Sequence, residues 1–198
     1  EQGYSPVREQ SLVNLSLEYW RNFTCLNFEY RDDEYFQHRI IFRKSALECE
    51  SRIGRIPIPE VQFIELADGC FRMFGGIVHE IGHVLGLCHE QSRPDRDDHV
   101  EIMFGNMQQE GHSSFEIRKS PGFSTLGLPY DFGSIMHYDS HSFGIRPFIF
   151  PPEQTIRARK PAYQLTMGNS QQISFYDMKA VNMLYCSGMH DHVKDDKG

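Results

Sequence analysis

The 198-residue chain has a single tryptophan, no internal repeat and no low-complexity segment, which excludes repeat arrays and linker-like chains. No apolar run approaches the roughly eighteen residues of a membrane-spanning helix. A basic excess is also missing. The 20 Lys and Arg stand against 27 Asp and Glu, a formal charge of −7 that argues against nucleic acid or an anionic membrane as the main partner. At Glu1 there is no charged and apolar leader, so the expectation is that any signal or pro-segment has been removed. The five cysteines lack CxxC spacing, which argues against a zinc knuckle or a dithiol redox motif.

What is present is 39% apolar residues, enough for the core of one domain or of two lobes sharing a cleft. Cys25, Cys49, Cys70, Cys88 and Cys186 are dispersed singly, a pattern that suggests disulfides. Asn14-Leu15-Ser16 and Asn22-Phe23-Thr24 are glycosylation sequons, and with dispersed cysteines they favour a secreted protein. The organisation reads as α+β. Ser5 before Pro6 starts a helix to about Cys25, with Leu12, Val13, Tyr19, Trp20 and Phe23 at helical spacing. His38 to Lys44 and Val61 to Leu66, rich in Ile, Phe and Val, read as strands. Phe71 to Gly86 turns helical. After Pro94 the chain is irregular and turn-rich, with Pro121-Gly122 and Pro151-Pro152. A last helix spans roughly Ser174 to Tyr185, with Ser174 and Asp177 set to cap it. The tail 188–198 is polar and expected to be disordered.

The chemistry concentrates in residues 79–97, HEIGHVLGLCHEQSRPDRD. One helical turn separates His79 from His83, so both imidazoles reach one ion, while Glu80 lies about 100° around the axis, placed to reach a water on that ion. In a continued helix His89 would be carried roughly 15 Å along the axis. Gly86 permits the left-handed conformation that ends a helix, letting the chain turn back so that His89 approaches the same point. HExxH alone arises by chance in roughly a few per cent of chains this long; with Gly86 and His89 the expectation drops below about one in ten thousand. Three histidines leave an open position, whereas structural zinc usually has four protein ligands, commonly with cysteine, so the pattern points to a single catalytic zinc.

These residues resemble the astacins, a branch of the metzincin zinc endopeptidases. The metzincin pattern HExxHxxGxxH is met by His79, Glu80, His83, Gly86 and His89, and the astacin extension by Glu90, Arg93, Asp95, Arg96 and Asp97. Ser134-Ile135-Met136-His137-Tyr138 looks like the family's Met-turn, and the likeness runs from the first helix to Cys186. The resemblance implies an N-terminal lobe with a mixed twisted sheet and two helices, a mostly irregular C-terminal lobe with a final helix, and an active-site cleft between them. The peptidase domain is expected to cover 1–187, with the lobe boundary near Gly86. It implies that Tyr138 is a further zinc ligand that swings aside to hydrogen-bond the tetrahedral intermediate, and that Met136 floors the three imidazoles. In the expected mechanism a zinc-activated water attacks a peptide carbonyl, with Glu80 as general base and then acid. Arg93, Asp95, Arg96 and Asp97 read as a structural ion-pair and turn network. His137 and His141 are not expected to be ligands, and His190 and His192 belong to the tail.

By the same resemblance the strand near Gln62 to Leu66 borders the cleft and pairs with an extended protein or peptide substrate. Cys25 is expected to pair with Cys186 and Cys49 with Cys70, leaving Cys88 as a buried free thiol. Two departures stand out. The upstream strand with an Ile-Pro-Tyr-like signature is not seen, so a truncated start is expected, with Glu90 lacking an amino-terminal partner and answered by protonation, by water or by a nearby arginine such as Arg93, held by side-chain or water contacts, and with one sheet edge exposed. Gly168-Asn169-Ser170 replaces the Gly-Gln-Arg run of relatives that prefer an acidic residue after the cleaved bond; without it that preference should be weak unless Arg146 substitutes. A secreted zinc endopeptidase, expected to be monomeric, is thus the leading reading. A non-catalytic binding module on the same fold and a hydrolase of small amides are its rivals, the first opposed by the intact Glu80, histidines and Tyr138.

Overall fold

The computed structural model describes residues 6–31, 39–57, 61–119, 124–148 and 151–186. Ser5, His38, Pro59, Pro121-Gly122, the tail and its histidines lie outside the described residues. The chain divides into two compact units, one of residues up to Leu87 together with those from Ser170 onward, the other Cys88–Asn169.

In the first unit α1 spans Pro6–Phe23, with Glu9 in its first turn and Arg21 in its last, each complementing the helix dipole. Its inner face buries Trp20 completely, and the indole N–H donates to the Val78 carbonyl at 3.0 Å, so the chain's one tryptophan has its polar edge satisfied where it is buried. Val78 belongs to α2, Phe74–Val84, which follows a 3-10 turn at Cys70–Arg72. α2 is buried over most of its surface, with its apolar residues gathered on one face, where Ile77, Val78 and Ile81 are at most 1% exposed. At its first turn a Cβ on Gly75 would overlap the Ser170 carbonyl, so glycine is what lets the two backbones meet.

Three strands form a mixed sheet in the order β1-β3-β2, where β1 is Ile40–Lys44, β2 is Glu50–Ser51 and β3 is Gln62–Leu66. β1 runs parallel to β3 and β2 antiparallel to it. β3, expected as a strand from its Ile, Phe and Val content, alternates buried and half-buried residues, with Gln62, Ile64 and Leu66 facing the core. Its place is different from the one expected. β3 has a neighbour on each side and is the central strand of the sheet, not its substrate-binding edge; β2, two residues long and without a periodic signature, is the outer strand on that side. α3, Phe175–Tyr185, opens with Ser174 accepting from the Asp177 N–H while the Asp177 carboxylate accepts from the Ser174 N–H, the reciprocal cap anticipated from sequence. Cys25–Cys186 ties α3 to the end of α1, with Cα atoms 5.9 Å apart, and Cys49–Cys70 ties the start of β2 to the turn before α2, at 6.2 Å.

The second unit has little regular structure. Its only pair of strands among the described residues, β4 (Val100–Ile102) and β5 (Ile156–Ala158), is antiparallel. Around it 3-10 turns enclose a separate core of Val100, Met107, Phe115, Tyr130, Phe132 and Ile156. Both strands are three residues long, too short to announce themselves in a Gly- and Pro-rich sequence.

The loop closed by Cys25–Cys186 spans 161 positions and that closed by Cys49–Cys70 spans 21. Replacing both cysteines of the long loop by alanine should therefore lower the unfolding free energy by up to about 5 kcal/mol, against about 3 for the short one. Urea unfolding of the two double variants checks the order, and a larger loss for the short loop would contradict it.

Candidate active site

α2 ends in a hydrogen-bond pattern that sets the site. The Leu87 N–H donates to the Gly82 carbonyl at 3.0 Å and the Gly86 N–H to the His83 carbonyl at 2.9 Å, the paired bonds of a Schellman motif, with Gly86 at φ +102°. The helix stops one residue after His83 and the chain reverses within three residues. As a result the ligand nitrogens of His79, His83 and His89 all lie within 4.8 Å of one another. The His79 and His83 rings are 4.5 Å apart by centroid and nearly perpendicular, so two edges converge without stacking.

His83 is 5% exposed, and its Nδ1 lies 2.8 Å from the Leu87 carbonyl. A carbonyl can only accept, so Nδ1 carries the proton and Nε2 keeps its lone pair, the tautomer and second contact typical of a metal-bound imidazole. Three imidazoles with ligand atoms at this separation, one oriented by its own backbone, fit zinc and leave room in its tetrahedral shell.

Glu80 is 5% exposed and sits between the first two histidines in sequence. Burial pushes its carboxyl up to about 7; the Ser51 hydroxyl, 2.8 Å from Oε2, pulls the other way, and the nearby Glu50 charge adds to the rise. A carboxyl poised near neutrality is suited to taking and returning a proton.

In the second unit the Tyr138 ring lies 4.6 Å from that of His89 and is backed by Phe115 and Phe143 at 5.5 and 5.9 Å. Met136 is 1% exposed, in a tight turn closed by the His137 N–H donating to Ser134, and its carbonyl accepts from the Glu90 N–H at 3.1 Å, joining this turn to the residue after His89. His137 is buried, its Nδ1 donating to the Tyr138 carbonyl at 2.7 Å and its Nε2 accepting from the Tyr130 hydroxyl at 2.8 Å; both ring nitrogens are occupied, and burial depresses its pKa to about 4. His141 is exposed and bonded to Ser140.

The Glu90 carboxylate accepts from the Asp131 N–H at 2.7 Å and from Arg93 Nη1 at 3.1 Å. Recruitment of Arg93, anticipated from sequence, is thus present; whether Glu1 approaches lies outside the described residues. Arg93 also grips Asp95 with two nitrogens, at 2.9 and 2.8 Å, and donates to the Leu128 and Pro129 carbonyls. Arg96 donates to the Gln91 and Phe115 carbonyls and to Asp97. These residues knit irregular chain together, as a turn network should. Cys88 is free, as expected, but half-buried rather than buried, its proton affinity raised by desolvation.

Residues 2–186 match the model of the astacin peptidase family. The chain belongs to the astacin family. It is 43% identical over 185 residues to zinc metalloproteinase dpy-31 of Brugia malayi and 41% identical over 187 residues to that of Caenorhabditis elegans, covering 93% and 94% of this chain. It spans only 30% and 31% of the length of these curated relatives. Among solved structures, high choriolytic enzyme 1, a hatching enzyme zinc-protease from the medaka fish Oryzias latipes, matches with a TM-score of 0.79 and 28% identity over 94% of this chain and 86% of that one. Myroilysin, at 19% identity and a TM-score of 0.59 over 92% of this chain and 88% of that one, shares the fold. The α+β metzincin fold expected from sequence is thereby established for this astacin domain.

Two contacts at the site have no signal in the sequence. Ser51 and the Leu87 carbonyl act through tertiary geometry: a lone serine after Cys49-Glu50 looks like any strand residue, and a main-chain oxygen carries no residue type.

A Cβ at Gly86 would meet only Leu184, at 3.5 Å, so Gly86→Ala tests backbone conformation without a clash. It should cost about 1–2 kcal/mol of stability in metal-free protein and weaken zinc binding measurably, by urea unfolding and competitive zinc titration. Unchanged zinc affinity would show that the turn does not set the histidine geometry.

Proposed function

We propose that this astacin domain is a secreted, zinc-dependent endopeptidase that cleaves internal bonds of extended protein substrates. The observation that carries the proposal is the buried Glu80 carboxyl, held by Ser51 and carried on the same helix as two of three converging imidazoles. His79, His83 and His89 would hold one zinc ion, which supplies Lewis acidity toward a water molecule and a peptide carbonyl. Glu80 accepts the proton of the attacking water and passes it to the leaving amide nitrogen. Tyr138, beside His89, is the group assigned to donate a hydrogen bond to the oxygen that gains charge as the carbonyl carbon becomes tetrahedral.

β2 supports the choice of an extended substrate. It is the outer strand of its sheet among the described residues, and Ser51 links it directly to Glu80. A substrate strand added to that edge gains main-chain hydrogen bonds that are indifferent to sequence, and its backbone passes the base. Secretion is supported by two disulfides, by the absence among the described residues of a helix long and apolar enough to cross a membrane, and by Asn14 and Asn22, proposed glycosylation sites exposed on α1. Ser170, in place of an arginine, supports a weak preference for acidic residues after the cleaved bond.

The test is cleavage of an unfolded, carboxymethylated protein, blocked by a zinc chelator and restored by zinc. Glu80→Gln should retain zinc and the fold while turnover falls about 10²–10⁴-fold. Activity within about tenfold of the parent would remove Glu80 from its role.

A further inference from the structure

Ser51 is fixed from three directions. The Cys49–Cys70 bond holds the chain immediately before β2, Ser51 is in register with Ile64 on the central strand, and α2 carries its partner residue. From this position its Oγ lies 2.8 Å from Glu80 Oε2 and 2.9 Å from the Glu80 carbonyl oxygen. A hydroxyl donates one proton, and of two acceptors at nearly equal distance a carboxylate oxygen forms the stronger bond.

We propose that Ser51 is a positioning residue for the reaction, binding one oxygen of Glu80 so that the other presents a fixed direction for proton transfer, and so coupling the base to the strand that receives substrate. The inference rests on the endopeptidase reading. Its physical basis is the length of the glutamate side chain: χ3 is broad and roughly two-fold, so a buried carboxylate without a partner samples directions that proton transfer cannot use. Ser51 donates its hydrogen bond to the Glu80 side chain from a strand two residues long whose position depends on the adjacent disulfide. The interaction therefore joins an element with almost no intrinsic stability to the group on which turnover depends.

The experiment compares Ser51→Ala and Ser51→Thr in the full zinc-loaded chain, with melting temperature and zinc content as controls. Ser51→Ala should keep one zinc and leave KM within about twofold, while kcat falls about tenfold to a hundredfold; Ser51→Thr, which restores the hydroxyl, should return kcat to within about threefold of the parent. Should alanine fail to fold, Ser51→Val against Ser51→Thr isolates the hydroxyl at nearly constant shape. In metal-free protein, Ser51→Ala should shift the urea midpoint more when Glu80 is present than in a Glu80→Ala background. A kcat for Ser51→Ala within about twofold of the parent, equal impairment of alanine and threonine variants, or equal urea shifts in the two backgrounds would overturn the proposal. A parent chain without zinc-dependent turnover would instead defeat the endopeptidase reading, and the urea cycle would still decide the Ser51–Glu80 interaction.

Discussion

The convergence of His79, His83 and His89 to within 4.8 Å governs the whole site. A straight helix delivers two imidazoles to one point and no third. The third arrives because α2 is stopped immediately beyond His83, and the stop is a backbone event: two nested hydrogen bonds and a residue at φ +102°. That same reversal brings the Leu87 carbonyl to His83 Nδ1, so one turn sets both the number of donors and the tautomer of one of them. Interactions elsewhere in the first unit serve to hold α2 still. Trp20 bonds its backbone from α1, and Gly75 admits the Ser170 main chain against its first turn.

Charge is the second theme. Buried ionisable groups are costly unless paired, and those near the histidines have specific answers. Glu90 has the Asp131 N–H and Arg93; Arg93 has Asp95 and two carbonyls; His137 is held neutral between Tyr130 and its neighbour's carbonyl. Glu80 is handled differently. Among the described residues it receives a hydroxyl and no cation, so its carboxyl stays near neutrality and not at the usual acidic value. Structural carboxylates are matched with guanidinium or backbone N–H groups, and the one assigned to chemistry is left with a neutral partner.

Much of this was legible in the sequence because it is encoded locally. The helical pair His79 and His83, the glycine stop, the Ser174–Asp177 cap and the salt-bridging run after Glu90 all depend on residues within a few positions of one another. The disulfide pairs came through family resemblance. Sequence failed where long-range pairing decided. The sequence of β3 marks it as a strand but not as the central one, because its neighbours are fixed by chain topology and β2 is only two residues long. Ser51 was invisible for the same reason: its partner is 29 positions away. The short strands of the second unit were lost among turns, where tertiary packing against Phe115 and Ile156 overrides any local period.

An open catalytic centre at these three histidines is tested by a crystal structure of the chain purified without added metal, with anomalous data collected across the zinc absorption edge. A single zinc peak within about 2.1 Å of one nitrogen each of His79, His83 and His89, with at least one non-histidine position in its shell, is the predicted result. Zinc bound elsewhere, or a shell closed by four tightly fixed ligands with no exchangeable position, would contradict the account.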